Sequence, residues 1–295
     1  MTNSFTEHIT WRDLVTRTAE VIGNRTIAKW LAEHASGVEG AEFTSILDDL
    51  VNERSGLHLN AMIARYLAGE PVQYVMGRWS FRHLDLMVDS RVLIPRPETE
   101  LLVDIVLGHA LQRSRDFGRP AVIADLGTGS GAIGLAVLQE MPLGSAEVWM
   151  TDESDDALHV ARANATGVGR AAVGARFAVG NWYDALSDDY AQGFDVVVSN
   201  PPYIAVGDTE VAESVLAYEP ATALFAGKDG LVDIRLIVAG APQWLTPGGL
   251  LAVEIGYTQG NVVAELFTAQ GLMNITVHKD LSGHNRFVSG VMPNR

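Results

Sequence analysis

Between Trp11 and Gly69, apolar residues recur three and four positions apart in WRDLVTRTAEVI, RTIAKWLAEHA, EFTSILDDLVNE and LNAMIARYLAG. A repeat near 3.6 gathers those positions on one helix face, so this stretch is expected to form a small helical domain. Thr10 and Asn60 suit helix starts, and Gly23, Gly37 and Gly69 suit helix ends. The period then changes. Across WSFRHLDLMV, within QYVMGRWSFRHLDLMVDSRVLIPRPETE, apolar and polar residues alternate, which predicts a hairpin or extended linker closed by Pro95 and Pro97. After Arg96, PETELLVDIVLGHAL restarts a helix, with Pro97 in its first turn and Glu98 and Glu100 at its positive end.

From Pro120 onward, short apolar runs (AVIADLG, AEVWMTD, ARFAVG, FDVVVSN, GLLAVEIG) alternate with helical patterns such as GAIGLAVLQEM, SDDALHVARANAT and GLVDIRLIVAGAPQWL. That alternation predicts an α/β fold, doubly wound, with a mainly parallel sheet covered on both faces. Only LSGHN separates NITVHKD from RFVSGVM, too few residues for a crossover helix, so these two are expected as an antiparallel hairpin that puts a reversed strand at or near an edge. The expected domains are therefore residues 1–74 (helical), 75–95 (hairpin linker) and 96–295 (α/β).

Composition narrows the chemistry. There is no cysteine among the 295 residues, which removes disulfides and thiolate chemistry, and the eight histidines show no ligand-like spacing, so no metal is expected. Acids outnumber Lys and Arg by 36 to 21, a net charge of -15 that opposes phosphate neutralisation and disfavours a nucleic-acid partner. Arg91, Arg96, Arg162 and Arg170 do not cluster in sequence. The longest apolar stretches carry charges or many glycines, so no membrane span is expected. MTNSFTEHITWRDL lacks the basic start and apolar run of a secretory signal, which points to a cytoplasmic location.

Two motifs carry the candidate chemistry. In ADLGTGSGAIG, Gly127, Gly129 and Gly131 permit a tight turn between a strand and a helix whose first amides face a polar ligand. The glycines alone leave the ligand open. GSGAIG fits a dinucleotide fingerprint, with Asp152 at the end of the next strand to hold a ribose diol; Asp125, two residues before Gly127, fits the related loop of enzymes that use S-adenosylmethionine. Asp152 also suits the start of the following helix.

The second motif is the ending of FDVVVSNPPY. Two prolines cannot continue a central strand, and they remove two backbone donors while leaving two carbonyl acceptors. The Asn200 side-chain oxygen and the Pro201 carbonyl are placed to accept both hydrogens of a planar NH2 group, with Pro202 shaping the turn and Tyr203 stacking on the group's face. Such a clamp would steer a poorly nucleophilic amide nitrogen toward an electrophilic methyl.

Together DLGTGSG, the Asp152 strand end and NPPY resemble class I methyltransferases that modify planar exocyclic or amide nitrogens. The flanks PVQYVMG, IPRPETE, YEPATALFAGKDGL, LAVEIGYTQG and KDLSGHNR resemble the bacterial peptide chain release factor glutamine methyltransferases. The resemblance implies a seven-stranded Rossmann-like sheet, S-adenosyl-L-methionine as cofactor with S-adenosyl-L-homocysteine as product, and class 1 release factors as protein substrates. It further implies that Gly127, Thr128, Gly129, Ser130 and Gly131 cradle the methionine part, Asp152 holds the ribose, and Trp182 lies beside the adenine. Asn181 stands where the family often has an acid that contacts the adenine amine. Asn200, Pro201, Pro202 and Tyr203 grip the substrate amide, and Glu219 and Pro220 sit in a substrate-side loop. Methylation of a ribosomal-protein glutamine, or of adenine N6, shares the tetrapeptide; a nicotinamide-dependent oxidoreductase would share only the glycine loop and Asp152.

Overall fold

The computed structural model describes residues 9–209 and 211–294, and the chain divides into two compact units, Met1–Gly77 and Arg78–Arg295. The hairpin expected within a separate linker thus belongs to the second unit.

The first unit is helical: α1 (Trp11–Ile22), α2 (Arg25–Ser36), α3 (Gly40–Ser45), α4 (Glu53–Leu67) and α5 (Val72–Met76). Thr10 caps α1 through a reciprocal pair with Asp13, and Gly23 and Gly37 end α1 and α2 in the left-handed region. Trp11, Leu31, Phe43, Leu59 and Met62 pack into its core, Trp11 edge-on to Phe43. Three expectations fail here. EFTSILDDLVNE is helical only to Ser45, because the next residues bind the segment that enters α1: Trp11 N–H donates to Asp49 O, Arg12 N–H to Leu47 O and Val51 N–H to Ile9 O. Asn60 lies inside α4, whose true cap is Asn52, accepting from Ser55 N–H at 2.9 Å. Residues 73–76, read above with the hairpin stretch, belong to α5 instead.

In the second unit, β1 (Arg78–Phe81) and β2 (Leu84–Met87) pair antiparallel, and α6 (Glu100–Phe117) follows a 3-10 turn over Pro97–Thr99. The main sheet contains β3 (Ala121–Leu126), β4 (Ala146–Asp152), β5 (Ala175–Val179), β6 (Phe194–Ser199), β7 (Leu245–Glu254), β8 (Met273–Lys279) and β9 (Asn285–Val291). Its order is β5-β4-β3-β6-β7-β9-β8; β9 alone runs against its neighbours, forming the expected hairpin with β8. Alternate strand residues feed two cores. Ile123, Val196 and Val198 pack with α6 and α7 (Ala132–Glu140), whereas Leu126, Val197 and Val253 pack with α10 (Val232–Trp244) and α11 (Gly260–Ala269). α8 (Asp155–Val168) and the short α9 (Glu213–Tyr218) complete the helices used below.

Candidate active site

The strand order reverses between β3 and β6, and in such sheets ligands bind outside the carboxyl ends at that crevice. Leu126 and Ser199 are register partners there, tied by a Ser199 Oγ hydrogen bond to Leu126 O at 2.7 Å. The glycine loop and Asn200 therefore start side by side.

Two carboxylates brace the loop. Asp125 is fully buried beneath it, Oδ2 accepting from Thr128 Oγ1 at 2.6 Å and from Gly134 N–H at 3.0 Å. Burial outweighs these bonds and pushes Asp125 up to about 6. Asp152 accepts from Gly129 N–H through Oδ2 and from Ser154 N–H through Oδ1, both at 2.9 Å. Its pKa is also raised, chiefly by burial. The cap of α8 is Ser154, whose hydroxyl accepts from Ala157 N–H, so Asp152 is not the helix cap. Trp182, held at a φ of 45°, lays its ring against Gly127; a Cβ on Gly127 would come within 3.1 Å of it. That indole N–H is buried and lacks a close hydrogen-bond partner, although it lowers the pKa of Asp233, which burial raises.

The tetrapeptide is fastened at its two ends, Asn200 and Tyr203. Asn200 Nδ2 donates to Thr99 Oγ1 at 3.4 Å, and Thr99 Oγ1 donates to Glu254 Oε2 at 2.7 Å. Tyr203 OH donates to Glu254 Oε1 at 3.3 Å, while Gln259 Nε2 donates to the Tyr203 carbonyl at 3.0 Å. Gly230, at a φ of 70°, passes so close that a Cβ would fall 2.2 Å from that carbonyl. Beyond the turn, Ile204 bridges to Phe225. Glu219, buried, then joins the two walls of the pocket by accepting from Ile94 N–H at 3.1 Å and Arg96 Nη2 at 2.6 Å.

One pocket gathers Gly127, Thr128, Gly129, Ser130, Asp152, Asn181, Trp182, Asn200 and Pro202 from the expected set. Asp125, Gly131, Pro201 and Tyr203 do not line it; Asp125 supports the loop from below and the Tyr203 phenol is turned to Glu254. Pro220, Arg91 and Asp233 also line it. Arg91, Arg96 and Arg162 form no basic patch, since each pairs with an acid (Asp89, Glu219 and Asp155). Sequence reasoning missed Thr99, Glu254, Gln259, Asp233 and Asn164, which holds Ser130 O at 2.9 Å and both backbone groups of Met87. The visible signals were a charge ending the apolar strand LLAVE and the flanks IPRPETE and LAVEIGYTQG, which contain Thr99, Glu254 and Gln259.

The chemistry of the lining discriminates between ligands. Asp152, Glu153 and Asp233 face one arginine, Arg91, which suits a cationic ligand better than a pyrophosphate. The Gly129 and Gly134 amides that would receive an anion at the start of α7 already hold Asp152 and Asp125. A carboxylate with unused lone-pair sites and an aromatic face fit an adenosyl group carrying a sulfonium. With the strand order above, these features define a class I methyltransferase, for which S-adenosylmethionine is the methyl donor.

The comparisons agree. The family described as "Methyltransferase small domain" matches residues 104–227, and "PrmC N-terminal domain" matches residues 15–77. A release factor glutamine methyltransferase of Xylella fastidiosa strain Temecula1 is 42% identical over 264 residues, covering 90% of this chain and 87% of that one. One from Burkholderia pseudomallei is 40% identical over 269 residues, covering 90% and 91%. A solved methyltransferase from Pyrococcus furiosus shares the fold, with a TM-score of 0.50 at 18% identity over 78% of this chain and 97% of its own. The chain belongs to the release factor glutamine methyltransferase family. Among the described residues, no helix is long and apolar enough to cross a membrane.

Proposed function

We propose that the chain methylates the N5 amide nitrogen of the glutamine in the Gly-Gly-Gln motif of class 1 peptide chain release factors, in the cytoplasm, leaving S-adenosyl-L-homocysteine. The observation that carries this reading is Asn200: a half-buried side chain at the switch point, fixed through its NH2 end and lining the acid-rich pocket. Similarity to enzymes named for this reaction over nine tenths of the chain supports the substrate.

When bound, S-adenosylmethionine supplies an electrophilic methyl on a positively charged sulfur. Gly127 to Gly131, Asp152 and Trp182 would hold it, while Asn200 Oδ1 and the Pro201 carbonyl receive the two N–H bonds of the acceptor amide. Two hydrogen bonds from one NH2 group fix its plane and return electron density to nitrogen. The Tyr203 phenol stays protonated, because burial and the neighbouring Glu254 raise its pKa well above the ordinary value. It therefore braces the turn through Glu254 rather than acting as a base.

Incubating purified release factor with the enzyme and S-adenosylmethionine, then sequencing the product by mass spectrometry, tests this reading. One added methyl on the Gly-Gly-Gln glutamine is expected. An unmodified release factor alongside methylated adenine in a nucleic acid would overturn it.

A further inference from the structure

We propose that Thr99 and Glu254 determine which atom of the Asn200 amide faces the substrate, an inference that rests on the function proposed above. Glu254 is the last residue of β7 and is 1% exposed. A threonine hydroxyl has a single proton, and that of Thr99 is committed to Glu254 Oε2 at 2.7 Å. The Thr99 oxygen then has only acceptor capacity left, so the amide end facing it at 3.4 Å must be the NH2 of Asn200. Oδ1 is thereby directed away from Thr99, and no described residue donates to it. A flipped amide would set a carbonyl oxygen against an oxygen whose proton lies elsewhere.

The direction of this chain matters because the substrate carboxamide offers its NH2 group, which has donors only. An acceptor at Asn200 receives it; an NH2 at the same place repels it. Asn200, Thr99 and Glu254 come from β6's end, the turn before α6 and β7's end, so three separate elements meet at one amide. Glu254 faces Thr99, Tyr203, Arg286 and Glu98, with Arg286 in turn paired to Asp280 at 3.1 Å. Burial pushes Glu254 up to about 7, Glu98 adds to this, and Thr99, Arg286 and Tyr203 oppose it. Thr99 and Glu254 touch no reacting atom in this arrangement; they are positioning residues.

The test combines Thr99→Val, which removes the hydroxyl at nearly constant volume, with Thr99→Ser, which keeps it. In protein labelled with 15N-asparagine, with the Asn200 signals assigned against Asn200→Ala, one side-chain N–H should exchange with solvent at least about tenfold more slowly in the wild type and Thr99→Ser than in Thr99→Val. With release factor as substrate, Thr99→Val should lose about 10- to 100-fold in kcat while S-adenosylhomocysteine binds within about threefold of normal. Thr99→Ser should recover turnover to within about threefold. Equal exchange in all three proteins, or a Thr99→Ser variant as slow as Thr99→Val, would overturn the proposal. The exchange measurement needs no substrate, so a wild type that leaves release factor unmodified would count against the substrate alone.

Discussion

Replacing Asp152 by alanine should weaken cofactor binding with a magnitude that follows from what its carboxylate does without any ligand. Its two oxygens already accept from Gly129 N–H and Ser154 N–H at 2.9 Å. A carboxylate has about four acceptor sites, so two remain for a ribose diol. Alanine loses both those sites and the tie that keeps the glycine loop against β4. Hydrogen bonds to a charged group are worth about 1.5–3 kcal/mol, and water recovers part of the loss. The expected weakening is therefore about 1.5–3 kcal/mol, or about 10- to 150-fold in Kd for S-adenosylhomocysteine by titration calorimetry. Asp152→Asn sharpens the test. Its single NH2 must face either the Gly129 or the Ser154 amide, donor against donor, so asparagine should weaken binding nearly as much as alanine. An asparagine variant with wild-type affinity would refute the reasoning, because it would mean that the loop tie carries none of the binding.

Asn200→Ala should lose about 100-fold in kcat while cofactor affinity stays within a few-fold, measured by single-turnover kinetics and calorimetry; near-normal turnover would remove the amide clamp. Gly230→Ala should cost about 2–4 kcal/mol in urea unfolding, because a left-handed Cβ would meet the Tyr203 carbonyl backbone at 2.2 Å. Glu254→Gln should change the pH dependence of both stability and rate. The folded pKa is raised from 4.5 to about 7, so the group favours the fold when protonated and that contribution is lost as pH rises through about 7. At about 1.36 kcal/mol per unit the variant should gain about 2.5 kcal/mol on the wild type between pH 5 and pH 8, read by urea unfolding at each pH. In turnover assays the wild type should gain activity as pH rises through about 7, and the variant should lack that limb; identical profiles would exclude ionised Glu254 from the reaction.

Local pattern made much of the fold legible. The alternation of strand and helix from Pro120, and the five-residue link before RFVSGVM, were enough to anticipate the doubly wound sheet and its reversed strand. Where expectation failed, a longer-range bond had overridden local preference. Residues 46–51 read as helix but run beside the start of α1, and the polar stretch before Leu59 hid the first turns of α4 behind a cap at Asn52. The expected residues that line the pocket were legible because they end or follow β3, β4, β5 and β6, so the topology delivers them to one crevice. Their supports were not. Thr99 and Glu254 are 155 positions apart and meet only because α6 and β7 flank the same switch point.

Those hidden supports show why the site combines a polar network with a burial that opposes it. A buried carboxylate with a raised pKa is more stable protonated, yet protonation would free the Thr99 proton to reverse its bond and with it the Asn200 amide. Three groups oppose the burial and hold the Glu254 pKa at about 7, so that the ionised form is reached as pH rises past neutrality: the Thr99 hydroxyl, the Arg286 charge and the Tyr203 hydroxyl. Each is anchored elsewhere, Thr99 in the turn before α6, Tyr203 by the Gln259 bond to its carbonyl, and Arg286 by Asp280. An apolar residue at 254 would remove the desolvation cost and pack at least as well. It would also leave Thr99 free to donate in either direction, and the acceptor that the substrate amide requires would be present in only a fraction of molecules. Stability given up at Glu254 is thus exchanged for a single orientation of Asn200, and this explains why a charge ends the otherwise apolar strand LLAVE.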